Sequence, residues 1–243
     1  MDTGVVLVTG AARRVGAAIA RQLHAAGWNV VIHYRASGGE ARALEKELTL
    51  ARPDSAATLR ANLLDLRAID KLVDEAAARW GRLDALVNNA SSYYKTPLAD
   101  LTEDQYDDLT GSNLKAPLFL IRACAKKMKQ GAIVNIADIH AARPMRNYAV
   151  YCAAKAALVS LTESLARELA PRIRVNAIAP GHVLWADGNT MTAAQRDAEI
   201  ARIPLGRLAQ PEEIGVAAAF LLSGAAAYIT GATLPVDGGL RLA

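Results

Sequence analysis

The sequence predicts an α/β fold: a single doubly wound, Rossmann-type parallel sheet with helices on both faces. Short apolar, β-branched runs contain few polar positions, which is typical of strands buried on both faces. Segments with helical periodicity separate these runs, so strand and helix alternate along the chain. Because the 243 residues contain no linker-like, repetitive or low-complexity stretch, we expect residues 1–243 to form one domain.

Seven strands are predicted, and helical patterns lie between them. The strands are Val5–Thr9, Asn29–His33, Ala57–Arg60, Ala85–Asn88, Ala132–Ile136, Arg174–Ala179 and Thr233–Val236. The clearest helical patterns cover Ala17–Ala26, Arg67–Trp80, Ala116–Lys129 and Val150–Leu169. Such sheets bind ligands at the carboxyl ends of their strands, so the residues directly after each strand are the first candidates for a site.

Composition argues against several classes of protein. Hydrophobic residues make up 52% of the chain, but no apolar run approaches the roughly 20 residues of a membrane span, so we expect no membrane partner. The first strand begins too early to leave room for a secretory signal. Cys124 and Cys152 lack metal-type spacing, which predicts a reduced, cytoplasmic protein without a metal. A scattered net charge of +4 and 5% aromatics argue against nucleic acid and suit a small anionic ligand.

The stretch VVLVTGAARRVGAAIA predicts a phosphate-binding strand–turn–helix unit. Gly10 permits a tight turn, Gly16 permits close packing, and the helix N-terminus offers free N–H groups to a pyrophosphate. Arg14 stands where the spacing T-G-x-x-x-G-x-G has its middle glycine, and we expect its guanidinium to bind phosphate or substrate. Arg13 and Val15 flank it and are further cofactor candidates.

The end of the second strand, VVIHYRAS, predicts the type of dinucleotide. An NAD site usually has an acid about 20 residues beyond the glycine turn, where it binds the ribose 2′-hydroxyl. Here the first acid is Glu40, and the chain offers His33, Tyr34, Arg35 and Ser37 instead. A guanidinium and a hydroxyl suit a 2′-phosphate, so we predict NADP(H). The alternative for Arg35 is a solvated loop charge.

Motifs spread over the chain resemble those of the short-chain dehydrogenase/reductase family. They are TGAARRVG, LVNNAS, the Asn113 of GSNLKAP, Tyr151 with Lys155, RVNAIAPG and ITGATLPVDGG. More narrowly, HYRAS, NNASSYYKTPL, the arginine in the glycine turn and Asp138, thirteen residues before the tyrosine, resemble pteridine reductases. The resemblance implies an oxidoreductase with a nicotinamide cofactor and a homotetrameric assembly.

The resemblance also implies cofactor contacts at the ends of later strands. The residues concerned are Asn89 and Ala90 along the riboses and Pro180 and Gly181 beside the nicotinamide. Asn62, followed by Leu63, stands where a typical member has an adenine-contacting aspartate, and its amide can still bind adenine. Asn113 resembles the residue that organises a proton-relay water.

Asp138, Tyr151 and Lys155 are the predicted catalytic residues, together with Asn113. Tyr151 and Lys155 are one helical turn apart, and we expect the ammonium to lower the pKa of the phenol and to hold the ribose. Asp138 replaces a serine usual in the family, and a carboxylate would repel the oxyanion that forms in ketone reduction. A pterin instead presents a C=N nitrogen that gains a proton and N–H donors that need acceptors. Whether Asp138 acts ionised or protonated stays open, and the alternative is a loop cap.

The loop NNASSYYKTPL offers substrate contacts. A flat heterocycle can stack between Tyr93 and the nicotinamide, and Ser91 offers a hydroxyl to the pterin or the cofactor phosphates. Tyr94 is the alternative stacking residue. The segment His182–Arg202 resembles a substrate-side flap. The full set of predicted substrate contacts is Arg14, Ser91, Tyr93, Asp138, Tyr151, Leu184 and Trp185.

The sequence therefore predicts an NADPH-dependent pteridine reductase. Its substrates would be dihydropterins, with oxidised pterins and dihydrofolate as further candidates. One alternative is a ketoreductase of the same family that acts on a carbonyl or sugar-like substrate. Another is a non-enzymatic protein that senses dinucleotides, against which the intact Tyr151, Lys155 and Asn113 argue.

Overall fold

A seven-stranded parallel sheet is formed by the residues that the computed structural model describes, 4–185 and 190–243. Its strands are β1 (Val5–Val8), β2 (Asn29–Tyr34), β3 (Ala56–Arg60), β4 (Ala85–Asn88), β5 (Gly131–Ile136), β6 (Ile173–Pro180) and β7 (Thr233–Val236). The order across the sheet is β3-β2-β1-β4-β5-β6-β7. The connections therefore reverse direction between β1 and β4, the point at which such sheets bind ligands. The Rossmann-type prediction is confirmed.

Helices cover both faces of this sheet. They are α1 (Arg14–Ala25), α2 (Gly38–Ala51), α3 (Leu66–Arg79), α4 (Glu103–Thr110), α5 (Ala116–Lys127), α6 (Ala149–Leu169), α7 (Ala193–Ala201) and α8 (Pro211–Leu222). Side chains alternate along β1, so that Val6 and Val8 pack in the layer of α1, α2 and α8. Val5 and Leu7 pack on the opposite face with α3 and α5. All four are fully buried, as the near-continuous apolar pattern predicted.

The 21-residue helix α6 connects the core to the site. Among the described residues, it is the only helix long and apolar enough to suit a membrane span. Its buried residues include Tyr151, Lys155 and Leu158, and Ala166 packs in the core with α3 and α5. In this fold it is a core helix.

Predicted element boundaries differ from the structure by one to three residues. Thr9, predicted as the end of the first strand, lies just after β1. The first helix begins at Arg14, three residues before the predicted Ala17, because the turn residues themselves open it. α5 ends at Lys127, since Met128 turns to extended backbone, so Lys129 lies outside the helix predicted to contain it.

Candidate active site

The turn after β1 is built around two close approaches that only glycine allows. Gly10 has a φ of +61°, and a Cβ there would stand 2.9 Å from the Cα of Ala90. A Cβ on Gly16 would stand 2.2 Å from the carbonyl oxygen of Gly10. Asn89 fixes the turn from β4, because its amide Nδ2 donates to the carbonyls of Thr9 (2.9 Å) and Gly10 (3.1 Å). The turn and helix are therefore as close as the motif predicted.

The N-terminus of α1 is open to an anion. Arg13, the residue before the helix, makes no side-chain capping bond, and the first turn contains no acid. The first backbone N–H groups of a helix lack partners within it, and they carry its positive dipole end. Phosphate oxygens are suitable acceptors for them.

Arg14 adopts a backbone conformation that explains why glycine is usual at this place. Its φ is +55°, in the left-handed region that costs an L-residue roughly 1–2 kcal/mol. Its Nη2 donates to the carbonyl of Trp185 at 2.9 Å. The arginine therefore connects the phosphate turn to the chain that follows β6.

His33 supports the turn from the end of β2. Its Nδ1 accepts from the backbone N–H of Gly10 at 3.1 Å, and its Nε2 lies 3.2 Å from the carbonyl of Ala61. This pairing places the ring proton on Nε2. Burial lowers the pKa of His33 to about 4, so the ring is neutral at physiological pH. With both nitrogens engaged, His33 positions the turn rather than offering a donor to a phosphate.

The predicted site residues gather along one cleft of about 1430 Å³. All the predicted cofactor and substrate residues line it, from Gly10 to Trp185. Single small-ligand pockets usually measure about 300–1,000 Å³, so this cleft suits a dinucleotide together with a substrate. Arg35 is exposed at its edge, and Asn62 is also exposed, with Oδ1 accepting from the N–H of Leu64 at 3.3 Å.

Asp138 and Tyr151 are hydrogen-bonded to one another. The Tyr151 hydroxyl donates to Oδ2 of Asp138 at 2.7 Å, and the His140 N–H donates to Oδ1 at 2.8 Å. The bond to His140 is the loop cap that we had considered as the alternative role, so Asp138 both caps the loop and contacts Tyr151. Burial and the adjacent carboxylate raise the pKa of Tyr151 well above its usual value. We expected Lys155 to lower this pKa, but burial and Asp138 determine the direction of the net shift, which is upward.

Lys155 is buried beside this pair, with 3% of its surface exposed. Its Nζ donates to the carbonyl of Ile136 at 2.7 Å and lies 5.7 Å from the centroid of the Tyr151 ring. Burial lowers the pKa of Lys155 to about 8, against the opposing effect of Asp138. The ammonium thus lies close to its own titration at physiological pH.

Asn113 lies outside the cleft lining, in a π-helical turn, Gly111–Lys115, that joins α4 to α5. Its Nδ2 donates to the carbonyls of Ser92 (2.9 Å) and Leu109 (3.0 Å). Its buried Oδ1 has no hydrogen-bond partner among the described residues. A buried acceptor of this kind is commonly satisfied by an ordered water, which agrees with the role that the resemblance implies.

Three tyrosines form an aromatic wall in the substrate half of the cleft. Tyr93 stacks on Tyr148, with ring centroids 5.0 Å apart, and meets Tyr151 edge-on at 4.9 Å. Tyr94 points away, because its hydroxyl donates to Asp108 Oδ2 at 3.1 Å. Tyr148 was not among the predicted site residues. It directly precedes α6, and its position three residues before Tyr151 was the signal that could have found it.

The chain after β6 contributes the outer wall. Leu184 is exposed, whereas Trp185 is half-buried and has the Arg196 guanidinium 5.9 Å from its ring. His182 Nε2 lies 3.7 Å from Oε2 of Glu199 in α7. The predicted flap His182–Arg202 therefore contacts the cleft at several points, and its residues 186–189 lie outside the described part of the chain.

A buried polar chain connects the strands beneath the site. Asn88 Nδ2 in β4 donates to Asn135 Oδ1 in β5 at 2.8 Å. Asn135 Nδ2 in turn donates to the Thr162 hydroxyl in α6 at 2.9 Å, and Thr162 donates to the carbonyl of Leu158. All three polar side chains are at least 97% buried. They join the strand that precedes Asn89 to the helix that contains Tyr151.

Neither a metal cluster nor a disulfide is found in the described residues. No group of three His, Cys, Asp or Glu side chains there is arranged to hold a metal ion. Cys124 and Cys152 are free and buried.

Together, this fold and site define a Rossmann-type oxidoreductase that uses a nicotinamide dinucleotide. A family model described as "Enoyl-(Acyl carrier protein) reductase" matches residues 10–241. The chain belongs to the short-chain dehydrogenase/reductase family.

Curated relatives cover nearly the whole chain. Pteridine reductase 1 of Leishmania tarentolae is 38% identical, over 98% of this chain and 96% of the relative. The 3-oxoacyl-[acyl-carrier-protein] reductase FabG of Staphylococcus aureus is 37% identical, over 99% of each chain. An uncharacterized oxidoreductase of Methylorubrum extorquens is 36% identical, again over 99% of each. Overall identity therefore establishes the family and leaves the substrate to be inferred from the site.

Proposed function

We propose that this chain is an NADPH-dependent pteridine reductase that converts dihydropterins to tetrahydropterins, with oxidised pterins and dihydrofolate as further candidate substrates. In this proposal residues 1–243 act as one NADP-binding catalytic domain in a cytoplasmic homotetramer. The observation that supports it most is the 2.7 Å hydrogen bond from the Tyr151 hydroxyl to Asp138. A carboxyl group at this point suits an imine nitrogen better than a ketone oxygen.

The residues present fit a nicotinamide dinucleotide phosphate. The glycine turn and the open N-terminus of α1 would hold the pyrophosphate, and a Cβ at Gly16 would fill the space that this turn needs. Arg35, at the end of β2, would hold the 2′-phosphate, since among the described residues no carboxylate pairs with it. Lys155 would hold the ribose hydroxyls.

Hydride addition to a pterin C=N bond requires one proton at nitrogen. When bound, NADPH would supply the hydride. Tyr151 stays protonated at physiological pH because its pKa is raised, so it can donate its hydroxyl proton. Asp138, already hydrogen-bonded to that hydroxyl, would pass a proton taken up from water back to the Tyr151 oxygen, or would accept hydrogen bonds from the pterin N–H groups. Lys155 adds a buried positive charge that offsets the transient charge on the phenol.

The aromatic wall favours a flat substrate. Tyr93 has 43% of its surface exposed, which leaves part of the ring available to a heterocycle in the cleft. Tyr148 stacks behind it and fixes its plane. Stacking of this kind contributes roughly 0.5–1.5 kcal/mol beyond burial.

Reduction of a 3-oxoacyl thioester is the second candidate function. It is favoured by the reductase FabG, which is nearly as similar to this chain as the pteridine reductase is. Asp138 argues against it, because a carboxylate next to a developing oxyanion raises the barrier.

A substrate panel separates the two candidates. NADPH oxidation is followed at its absorbance maximum with dihydrobiopterin, dihydromonapterin, dihydrofolate and acetoacetyl-coenzyme A, each also with NADH. The proposal expects turnover with at least one pterin, a clear preference for NADPH, and little activity on the thioester. Activity on the thioester alone would replace the proposal with the second candidate.

A further inference from the structure

Positive charge is concentrated in the cleft. Among the described residues, eight cationic and two anionic side chains line it, a balance of +6 with histidines neutral. The formal charge of the whole chain is +4, which is less than the charge of these lining residues alone. A field of this kind attracts anions to the cleft.

The cofactor explains only part of this charge. Arg13, Arg14 and Arg35 lie on the phosphate side, at the glycine turn and the end of β2. The substrate half contains four more exposed cations, although a neutral pterin needs none of them. They are Lys95, Arg143, Arg146 and Arg202.

Two of these four cations already have partners within the protein. Arg202 pairs with Glu199 at 2.9 Å. The Arg143 guanidinium donates to the backbone carbonyls of Arg241 and Ala243. Lys95 and Arg146 differ, because neither has an ion pair or a side-chain hydrogen bond to any described residue.

Lys95 and Arg146 are held on two loops that lie side by side. The N–H of Thr96 donates to the carbonyl of Asn147 at 2.6 Å, so the two loops are joined one residue beyond Lys95 and one residue beyond Arg146. Thr96 itself is buried. The Tyr93–Tyr148 stack joins the same two loops on the side of the catalytic pair.

We infer that Lys95 and Arg146 form an anion subsite for the far end of the substrate, beyond the ring held at Tyr93. The substrate would then be elongated, with the reacting group at Asp138 and Tyr151 and a carboxylate or phosphate on its tail. Two like charges on clamped loops repel each other, and an anion between them removes that cost. The identity of the ring rests on the proposed function, whereas the anionic tail does not. The carboxylates of dihydrofolate and the phosphates of a coenzyme A thioester share this chemistry.

The test compares substrates that differ in tail charge. One pair is dihydrofolate and the neutral dihydrobiopterin, and the other is acetoacetyl-coenzyme A and neutral ethyl acetoacetate. The variant Lys95→Glu/Arg146→Glu should lower kcat/KM for the charged member relative to the neutral member by at least about tenfold. The loss should lie in KM, with kcat retained, and it should shrink as salt is added.

The control is Lys46→Glu/Lys129→Glu. It changes the net charge of the chain by the same amount, at exposed positions that do not line the cleft. It should leave the charged-to-neutral ratio within about twofold of the wild type, since distant exposed charges are screened. An equal change in the two double variants would overturn the subsite and point to the overall field instead.

Binding gives a readout that does not depend on the reaction. Calorimetric titration of the NADP-loaded protein with folate and with biopterin compares the same tails without turnover. If folate binds more tightly than biopterin and Lys95→Glu/Arg146→Glu removes this difference, the subsite is supported. A failure to reduce any pterin would then refute the proposed function but not the subsite. If the wild type binds folate no more tightly than biopterin, and coenzyme A no more tightly than pantetheine, the inference is wrong.

Discussion

The proposed substrate depends on Asp138, whereas membership of the family does not. In the proposed reaction the other predicted catalytic residues, Tyr151, Lys155 and Asn113, would serve the reduction of a ketone and of an imine alike. The carboxyl group is held on both oxygens, by Tyr151 and by the His140 N–H, so its direction is fixed. Its effect on the reaction should therefore be measurable by substitution.

Replacing Asp138 by serine should change the substrate preference. We expect Asp138→Ser to lower kcat for the best pterin by about 10²–10⁴-fold, the usual contribution of a positioned acid–base group. Activity on acetoacetyl-coenzyme A should rise, because the repulsion of the oxyanion is removed. Steady-state kinetics on both substrates measures the two effects. Retention of full pterin activity would show that the carboxyl group has no part in the reaction.

Lys155 should leave a signature in folding stability. Its pKa is about 8 in the folded protein and about 10.4 in an unfolded chain, so between these values the unfolded state binds more protons. The free energy of unfolding therefore rises with pH in this window, and the full penalty of about 3 kcal/mol is present below pH 8.

The comparison with Lys155→Met isolates this contribution. Urea unfolding of the cofactor-free protein should show the wild type gaining stability relative to the variant from pH 8 to 10. The variant serves as the reference because the other titrating groups, Tyr93 and Cys124 among them, are common to both proteins. A difference that does not change with pH would mean that the pKa of Lys155 is the same in the folded and the unfolded protein.

The sequence predicted the residues of the site better than their contacts. Strand ends and glycine spacing place Gly10, Asn89 and Asp138 at one edge of the sheet, because parallel strands end together. Pairing within the site depends on side-chain directions that no spacing gives. The burial of Tyr151 and its bond to Asp138, which raise its pKa, and the two hydrogen bonds of the His33 ring were therefore visible only in three dimensions.

At the scale of elements, all seven strands were predicted because each is a short, largely apolar run, and the central strands are buried on both faces. The short helix α7 was missed, and the segment around it was described only as a flap. Its N-terminus has a capping box, Thr192 with Gln195, that the sequence does contain. α7 has no fully buried residue, so there was no apolar stripe to predict it.

The start of α1 allows a test of backbone strain. Arg14 has a φ of +55°, which glycine adopts freely and alanine does not. Arg14→Ala and Arg14→Gly both remove the bond to the Trp185 carbonyl, so their difference reports the backbone strain, reduced by the greater entropy of glycine in the unfolded chain. We expect the glycine variant to be more stable than the alanine variant by about 1 kcal/mol in urea unfolding. Equal stabilities would mean that the turn relaxes when the guanidinium is removed.

For the whole molecule, the homotetramer stays a prediction, and the exposed apolar side chains near the sheet edge are where we expect a second copy to pack. β7 is the edge strand of the described sheet and is only partly buried along its length. Val216 and Phe220 on α8 and Tyr228 beyond it are exposed. Apolar side chains gathered near an open edge are typical of a surface that a second copy covers.

Sedimentation should therefore give about four times the chain mass of 25.7 kDa. Phe220→Glu should reduce the assembly to smaller species, because it buries an unpaired charge in the contact. Leu50→Glu is the control, since Leu50 is also an exposed apolar residue but lies on α2, away from β7. A wild-type monomer would refute the assembly.

The polar chain Asn88–Asn135–Thr162 affects how the protein can change over time. Each member satisfies the next, so an apolar replacement at one position strands a buried donor or acceptor at about 1–3 kcal/mol. Replacing all three together should cost much less stability, because no member of the trio is then left buried without its hydrogen-bond partner. The effects of apolar substitutions at these three sites should therefore be strongly non-additive. A single substitution should destabilise the protein, whereas the same substitution should be tolerated when the other two are also made. During evolution the three residues could be replaced only together, or in a protein stable enough to tolerate the single substitutions. This constraint would tend to preserve the trio for reasons unrelated to the reaction.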